Sequence, residues 1–316
     1  MRKEREYSMN FGPSKIKLKI AEIIIELKSK FPVQPLESAY GWRCASFIYR
    51  GNKKPRISFN IELRENLPLV KRGNKIFIAI HPLSKDVNWI LYQDNDKYII
   101  EKYVPQKEQV AILNKDFKKG IIYLLSKDID KRYELEAIIY DLLQIILINY
   151  LADKKGIFVH GIGLKDVDDS GFLFIGPTQS GKSTTARLWH KYSKAKVLND
   201  DRVIIRKVKG KFFIFGTPWH GDFNDYLKSV PDKAELKNLF FIYHHSRHRL
   251  DYLKSAKAFK HLYPNIFPTF WNKEGLSKQT TLCQDLTKTK PCFYLGFKKN
   301  KSVISFVRQA KETTSL

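Results

Sequence analysis

The chain has 316 residues, of which 43% are hydrophobic and 13% aromatic. This composition excludes a fully disordered chain and is compatible with one large domain or two ordinary ones. Lysine and arginine total 57 against 32 aspartates and glutamates, a formal net charge of +25. Such an excess favours acidic partners such as nucleotides, nucleic acid, an acidic protein or a membrane surface, but solvated surface lysines give the same total. The basic residues form no block of five or six, so no clear sign of nucleic-acid binding emerges.

The cysteines and the apolar stretches bear on the cellular compartment of the protein and on membrane insertion. Cys44, Cys283 and Cys292 are far apart and odd in number, which indicates neither a disulfide framework nor a CxxC metal site. No apolar run of signal-peptide type follows the charged N-terminus. The most apolar stretch, residues 137–152, is too short to cross a bilayer and shows helical spacing. We therefore expect a cytoplasmic protein without a membrane span.

The first part of the chain, residues 1–130, predicts a β-rich region. Residues 15–29 begin with period-two alternation and are rich in isoleucine, which favours one or two strands, with a helix as the alternative. Glycine, asparagine, aspartate and proline separate further strand-like segments. These segments are residues 56–63, 75–80, 89–92 and 98–103. No chemical motif stands out here, so no site is assigned to this region.

The pattern changes in the second part, residues 131–316, which predicts a second domain. The first predicted elements are a helix from about Arg132 to Leu151 and the strands GIFVHGIGL and GFLFIG. A helix over 181–192 and a short strand KVLNDD follow. Next come a hairpin RVIIRKVKGKFFIFG that turns near Lys209-Gly210, and helices near 234–241 and 254–263. Strands that flank a helix, with a glycine-rich loop between them, predict an α/β nucleotide-binding core with a mixed sheet.

Residues 176–183 carry the strongest motif, the complete GxxxxGK[ST] pattern of a phosphate-binding loop. Glycines at both ends let the backbone turn its N–H groups towards phosphate oxygens, and the following helix adds its positive end. Lys182 can reach the β- and γ-phosphates, and the Ser183 hydroxyl can ligate Mg²⁺. A chance match is the alternative, which the apolar strand before the motif and the helix after it disfavour. The sequence thus predicts an ATP and Mg²⁺ site formed by Gly176, Pro177, Thr178, Gln179, Ser180, Gly181, Lys182, Ser183 and Thr184.

Two adjacent carboxylates, Asp200 and Asp201, follow a short apolar strand. A solvated turn would explain them, but adjacent acids are unfavourable unless a cation or a shared proton relieves them. Neighbouring strand residues point to opposite faces, so we expect one carboxylate to serve Mg²⁺ and the other to take a proton from an incoming hydroxyl. His160 ends the strand GIFVH, and a packed histidine without a chemical role is the alternative to a functional one.

These motifs occur in the order His160-Gly161, GPTQSGKSTTARLW, LNDDRVIIR and GTPWHGD. In this order they resemble the catalytic domain of HPr kinase/phosphorylase and its phosphoenolpyruvate-carboxykinase-like P-loop relatives, and more closely the stand-alone HPr-kinase-like proteins of bacteria. The likeness runs from about Glu134 to Arg308. It implies a mixed sheet of that type and phosphoryl transfer from ATP to a hydroxyl, usually that of serine.

The resemblance also implies roles for single residues. Asp201 would be the general base, Lys182 the phosphate clamp, Ser183 a metal ligand, and His160 an assisting group near the γ-phosphate or the acceptor. Asp200 is then the member of the carboxylate pair that we expect to serve the metal. A downstream arginine would stabilise charge in the transition state, with Arg247 or Arg249 of HHSRHRL as candidates. A basic surface loop is the alternative, and a HHxxH metal site lacks a carboxylate at ligand spacing.

The segment 216–222 departs from the resemblance, because true HPr kinases carry an arginine- and glycine-rich signature at this place. Neither HPr as the acceptor nor a reverse phosphorylase reaction therefore follows from the likeness. We expect the segment to lie over the phosphates, with Asp222 offering an oxygen to the metal. A rigid Pro-Trp turn that only packs is the alternative.

The leading hypothesis is an ATP-dependent serine kinase that acts on a protein, a peptide or a small molecule. An acidic acceptor would suit the cationic chain, and a homo-oligomer is compatible with the sequence. The alternative class is a nucleotide-sensing protein that binds ATP and Mg²⁺ without turnover, against which the intact Asp200-Asp201 pair and His160 argue. A carboxykinase would need an arginine cluster and further metal ligands before the phosphate loop, where only His160 is found.

Overall fold

The computed structural model describes residues 14–30, 44, 46–80, 84–103, 109–125, 142–177, 179–221 and 230–312. Within these ranges, strands account for 44% and helices for 24%. The protein is mostly β and contains two large mixed sheets. The prediction of an α/β core, with helices flanking a P-loop sheet of the HPr kinase type, is therefore wrong.

The first sheet has eight strands in the order β1-β2-β3-β8-β7-β6-β5-β4. The strands are β1 (Ser14–Ile20), β2 (Ile23–Ser29), β3 (Ile57–Arg64), β4 (Asn74–Ile80), β5 (Val87–Asp94), β6 (Lys97–Lys102), β7 (Gln109–Asn114) and β8 (Lys119–Leu125). The strands predicted within residues 15–29 are confirmed, and they are joined by a turn in which Ala21 and Glu22 have left-handed φ angles of 47° and 65°. In β3 the buried residues alternate as the sequence pattern predicts.

The second sheet follows the order β10-β9-β12-β13-β14-β16-β15, with β11 paired to β9. Its strands are β9 (Gly156–Lys165), β10 (Ser170–Ile175), β11 (Lys196–Asn199), β12 (Arg202–Val208), β13 (Lys211–Phe215), β14 (Lys233–His244), β15 (Arg249–Tyr252) and β16 (Cys292–Phe297). Strand β10 also pairs with β14 in parallel, so the pairings run in a ring from β10 through β9, β12 and β13 to β14. The predicted hairpin is confirmed, since Lys209 and Gly210 form its turn with φ angles of 49° and 82°.

The segment 234–241 is one place where the prediction of an α/β fold is wrong. A helix was predicted there, and the structure has a strand. Ala, Glu, Leu and Lys favour a helix, but over residues 233–238 buried residues alternate with less buried ones, and residues 238–242 are all buried. Strand β14 pairs with β13 and β16 on one side and with β10 on the other. These tertiary pairings override the local helix propensity, and a strand lies where an α/β core would place a helix.

Five α-helices are described outside the sheets. They are α1 (Gln144–Ala152), α2 (Lys182–Tyr192), α3 (Ser255–Leu262), α4 (Lys273–Thr289) and α5 (Ser302–Glu312). Helices α2 and α3 confirm the predictions at 181–192 and 254–263, whereas α1 covers only the end of the helix predicted from 132, and residues 126–141 lie outside the described ranges. None of the helices in the described part of the chain is long and apolar enough to cross a membrane.

One hydrophobic core joins the two sheets. Its buried residues come from the first sheet, from α1 and from the second sheet, and examples are Leu27, Phe59, Leu147, Phe158 and Phe215. All nine residues of α1 are buried, as a helix between two sheets requires. The described parts of the two predicted regions therefore share apolar packing, while the predicted boundary near residue 130 lies outside the described residues.

Candidate functional site

A cleft of about 500 Å³ lies where β10 and β14 end. It is lined by His160, Gln179, Gly181, Lys182, Ser183, Thr184, Asp200, Asp201, Gly221, His244 and Lys299. These residues come from six separate stretches of the chain. The structure thus brings most of the predicted site residues together at one place.

The predicted phosphate loop connects β10 to α2. All six residues of β10 are buried between β9 and β14, so the loop leaves from a fixed point. Gln179 and Gly181 adopt left-handed φ angles of 65° and 99°, which turn the chain tightly into the helix. At Gly176 a Cβ atom would stand 2.3 Å from the Ser180 hydroxyl oxygen, so only glycine fits there. Thr178 lies outside the described residues.

The loop offers hydrogen-bond donors that lack acceptors. Helix α2 begins at Lys182 after Gly181, and no side chain caps its N-terminus. The first N–H groups of such a helix have no partner within the helix. The buried hydroxyl oxygen of Ser180 also finds no hydrogen-bond partner among the described residues. Unpaired donors at the positive end of a helix are the arrangement that binds an anion.

Lys182 folds back over this loop. Its Nζ atom donates hydrogen bonds to the carbonyl oxygens of Gly176, at 2.7 Å, and Pro177, at 3.0 Å. Burial lowers the pKa of the Lys182 amine, and the negative charge of Asp201 acts in the opposite direction. The Lys182 amine therefore lies within the predicted phosphate loop. It is also near the carboxylate of Asp201, across the cleft.

The two carboxylates lie at the junction of β11 and β12, which pair with successive parts of β9. Asn199 braces this junction: its Oδ1 atom accepts hydrogen bonds from the backbone N–H groups of Asp201, at 2.8 Å, and Arg202, at 2.7 Å. Its Nδ2 atom donates to the carbonyl oxygens of Thr217, at 3.0 Å, and Trp219, at 3.1 Å. The junction is thereby fixed to the loop that follows β13.

Asp201 forms a side-chain pair with His160, which lies opposite the adjacent residue Arg202 in the β9–β12 pairing. The distance from His160 Nε2 to Asp201 Oδ1 is 3.1 Å, and Arg202 Nε lies 3.2 Å from Asp201 Oδ2. Burial alone would raise the pKa of Asp201, but the hydrogen bond from His160 and the charge of Arg202 outweigh it and hold the pKa below its ordinary value. Asp201 is therefore an ionised carboxylate, held by both of its oxygens.

Arg202 is itself held from two further sides. Its guanidinium donates a hydrogen bond to the Gln144 side-chain oxygen of α1, and it stacks over the Phe267 ring at 5.5 Å. Phe267 is anchored in turn by a backbone hydrogen bond of 3.0 Å to Phe158 of β9. A connected chain of contacts thus runs from α1 through Arg202 to Asp201.

Asp200 and Ser183 provide the oxygen atoms that the sequence assigned to a metal. Asp200 is 8% exposed, and its Oδ1 atom accepts a 2.9 Å hydrogen bond from the Gly221 N–H. Ser183 is exposed in the first turn of α2. Both residues line the cleft, whereas Asp222, the third predicted ligand, lies outside the described residues.

The predicted arginine is not part of the cleft. Arg247 is exposed in the loop between β14 and β15, and Arg249 pairs with Asp251 at 2.8 Å. Sequence reasoning missed His244 and Lys299, which do line the cleft. His244 ends β14 and Lys299 follows the end of β16, so a correct prediction of β14 beside β10 and of β16 beside β14 could have located them.

No group of three or more His, Cys, Asp or Glu side chains arranged to hold a metal occurs in the described part of the chain. A comparison with protein-family models found no match, and neither did a comparison with curated proteins.

Proposed function

We propose that this protein is a Mg²⁺-dependent kinase that transfers the γ-phosphoryl group of ATP to a hydroxyl group. The observation that carries the proposal is the juxtaposition in one cleft of the 179–184 segment with the His160–Asp201 pair. A strand-to-helix loop rich in free donors suits a phosphate chain, and a held carboxylate suits an incoming hydroxyl. The resemblance of the same motifs to HPr-kinase-like proteins supports this reaction.

The loop fits the phosphate groups of a nucleotide. The tight turn at Gln179 and Gly181, the uncapped start of α2 and the unpaired Ser180 hydroxyl all favour an anion at this place. The Lys182 amine, now on two loop carbonyls, would turn its hydrogen bonds to the β- and γ-phosphates.

The oxygen donors fit Mg²⁺, which prefers carboxylate, hydroxyl, water and phosphate oxygens. Ser183 and Asp200 would hold the ion together with oxygens of the phosphate chain. The ion would neutralise charge that develops on the transferred group.

Asp201 would act on the acceptor. Its carboxylate would orient the hydroxyl and take its proton while the hydroxyl oxygen attacks the γ-phosphorus and the bond to the β–γ bridging oxygen breaks, so that ADP leaves. His160 and Arg202 hold the carboxylate for this step. Most of the acceleration would come from positioning and electrostatics.

The acceptor we propose is a serine hydroxyl of a protein, a peptide or a small molecule, and the high positive charge suits an acidic one. We place the reaction in the cytoplasm. All three cysteines are buried and form no disulfide, which is compatible with that reducing compartment.

The test is transfer of label from γ-labelled ATP with Mg²⁺ to free serine, to proteins and to small peptides. Wild type is compared with Asp201→Asn, and with Asp251→Asn as a control for an exposed carboxylate outside the cleft. We expect label on one acceptor with wild type and the control, and a loss of about a thousandfold or more with Asp201→Asn. Full transfer by Asp201→Asn would contradict the assigned base. Binding of ATP without transfer to any acceptor would replace the kinase by a nucleotide sensor.

A further inference from the structure

Three parallel strands bring three chain segments to one edge of the second sheet. Strand β10 pairs in parallel with β14, with Ile175 opposite Phe241, and β14 pairs in parallel with β16, with His244 opposite Phe297. The phosphate loop, the segment 245–248 and the segment 298–301 therefore leave the sheet side by side. The carboxyl ends of parallel strands are where α/β and mixed sheets place their ligands.

The two segments beside the phosphate loop are basic. They read His-Ser-Arg-His and Lys-Lys-Asn-Lys, and each follows a residue that packs on the loop. A Cβ atom at Gly181 would stand 2.7 Å from His244 Cε1 and 2.8 Å from Phe297 Cζ. The rings of these two residues lie 5.8 Å apart. The His244 imidazole is thus held directly against the turn that begins α2.

Lys299 completes this wall of the cleft. It is exposed, it lines the cleft with His244, and it makes no hydrogen bond or ion pair within the described ranges. Asp200 and Asp201 lie on the opposite side of the phosphate loop, because β9 and β12 flank β10 on one side and β14 and β16 on the other. Both carboxylates already have partners. The cleft therefore has an anchored acidic side and a basic side whose lysine charge is uncompensated.

We propose that Lys299 and His244 bind the phosphate chain of the nucleotide from the wall opposite the carboxylates. This inference rests on the proposed function. It assigns contacts with the nucleotide phosphates to two residues outside the GxxxxGK[ST] motif. His244 lies against Gly181, next to the uncapped N–H groups of α2, so its contact is with the α- and β-phosphates that those groups would hold. Lys299 follows the neighbouring strand β16 and lines the cleft with His244, so its charge would lie beside the same two phosphates.

The contact with the α- and β-phosphates makes a specific prediction, because ADP has both groups. Loss of Lys299 should weaken ATP and ADP alike, by about tenfold, the effect of one charge-assisted hydrogen bond at a partly exposed site. His244→Phe keeps a ring against Phe297 and removes the imidazole nitrogens, so it should weaken both nucleotides without loosening the fold.

The experiment is calorimetric titration of Mg²⁺–ATP and Mg²⁺–ADP into wild type, Lys299→Gln, His244→Phe and Lys298→Gln. Lys298→Gln is the matched control, since it removes the same charge from the neighbouring exposed residue, which does not line the cleft. Weaker binding of both nucleotides by Lys299→Gln and His244→Phe, with Lys298→Gln equal to wild type, supports the inference.

Two results would overturn it and can be told apart from a failure of the proposed function. If wild type binds both nucleotides and Lys299→Gln binds them equally well, the inference is wrong and the kinase proposal stands. The inference is likewise wrong if Lys299→Gln changes only the KM for the acceptor, because Lys299 would then belong to the acceptor site. If wild type binds neither nucleotide, both proposals fail.

Discussion

Asp201 is the residue on which the proposed chemistry depends most, and its protonation state is set by its neighbours. Burial works against its negative charge, but His160 and Arg202 overcome that effect and hold the pKa below the ordinary value of 3.8. Because the folded-state pKa lies below the unfolded-state value, the ionised carboxylate stabilises the fold above about pH 4. That contribution is lost as the pH falls through the folded-state pKa.

This argument predicts the acid side of the pH–rate profile. Removing the positive charge in Arg202→Gln should raise the Asp201 pKa, so the rate of transfer should begin to fall at a higher pH than in wild type. The measurement is kcat against pH for wild type, Arg202→Gln and the surface control Arg249→Gln, whose arginine pairs with Asp251. An acid limb that stays in place in Arg202→Gln would mean that Arg202 does not tune the base.

Gly181 offers a sharp test of the loop, because two separate reasons require glycine there. Its φ of 99° is unfavourable for other residues, and a Cβ atom would collide with His244 and Phe297. Gly210 is a matched control, with a φ of 82° and no heavy atom within 4 Å of the added Cβ.

We expect Gly210→Ala to lower the free energy of unfolding by on the order of 1–2 kcal/mol and to leave nucleotide binding intact. Gly181→Ala should lower it further and should weaken ATP binding at least about tenfold, since the start of α2 must move. Urea denaturation and calorimetry measure the two effects. Equal behaviour of the two variants would show that the packing of His244 against the loop is unimportant.

At the scale of elements, the β11–β12 junction is what presents the carboxylates, and Asn199 holds it. This buried amide accepts hydrogen bonds from two backbone N–H groups and donates to the loop after β13. Asn114 does a similar task in the distant β7–β8 turn, where its Oδ1 atom accepts from Lys118 and Lys119.

Asn199→Ala should therefore lower the free energy of unfolding by about 2 kcal/mol or more, because buried groups lose their partners. It should also reduce kcat far more than the affinity for ATP, since the phosphate loop lies on another element. Asn114→Ala should destabilise the protein with kcat unchanged. A kcat for Asn199→Ala that matches the Asn114→Ala value would contradict the role of the junction.

The elements near the motif could be predicted from the sequence, and the class of the fold could not. Strand β10, helix α2 and the hairpin at Lys209-Gly210 follow local rules of periodicity, phosphate-loop spacing and turn chemistry. Strand β14 does not, because its first residues favour a helix and only pairing with three other strands makes it extended. Because β14 was not predicted as a strand, His244, which ends this strand, was not predicted to line the cleft.

At the scale of the whole molecule, the first sheet and the second sheet share one core around α1. Leu27 and Phe59 of the first sheet belong to the same cluster as Phe158 and Phe215 of the second. Arg206 of β12 also donates a 2.5 Å hydrogen bond to the carbonyl oxygen of Ala21, in the β1–β2 turn. No periodicity in the sequence reports such long-range contacts, which is why the sequence could suggest two regions without showing their common packing.

A shared core predicts cooperative unfolding. Leu27→Ala, in the first sheet, should lower the free energy of unfolding by about 3 kcal/mol and shift the transition of the second sheet by the same amount. Hydrogen exchange in increasing urea, followed on peptides from β2–β3 and β12–β13, measures both transitions. A shift confined to the β2–β3 peptides would show that the sheets unfold independently.

The central claim is that the cleft binds a nucleoside triphosphate through the loop that ends at Lys182. The most direct measurement is the affinity of wild type, Lys182→Ala and Lys209→Ala for ATP with Mg²⁺, where Lys209 lies in the β12–β13 turn away from the cleft. We predict saturable binding by wild type and Lys209→Ala, and a loss of about a hundredfold or more in Lys182→Ala. No binding by wild type, or equal binding by all three proteins, would contradict the claim.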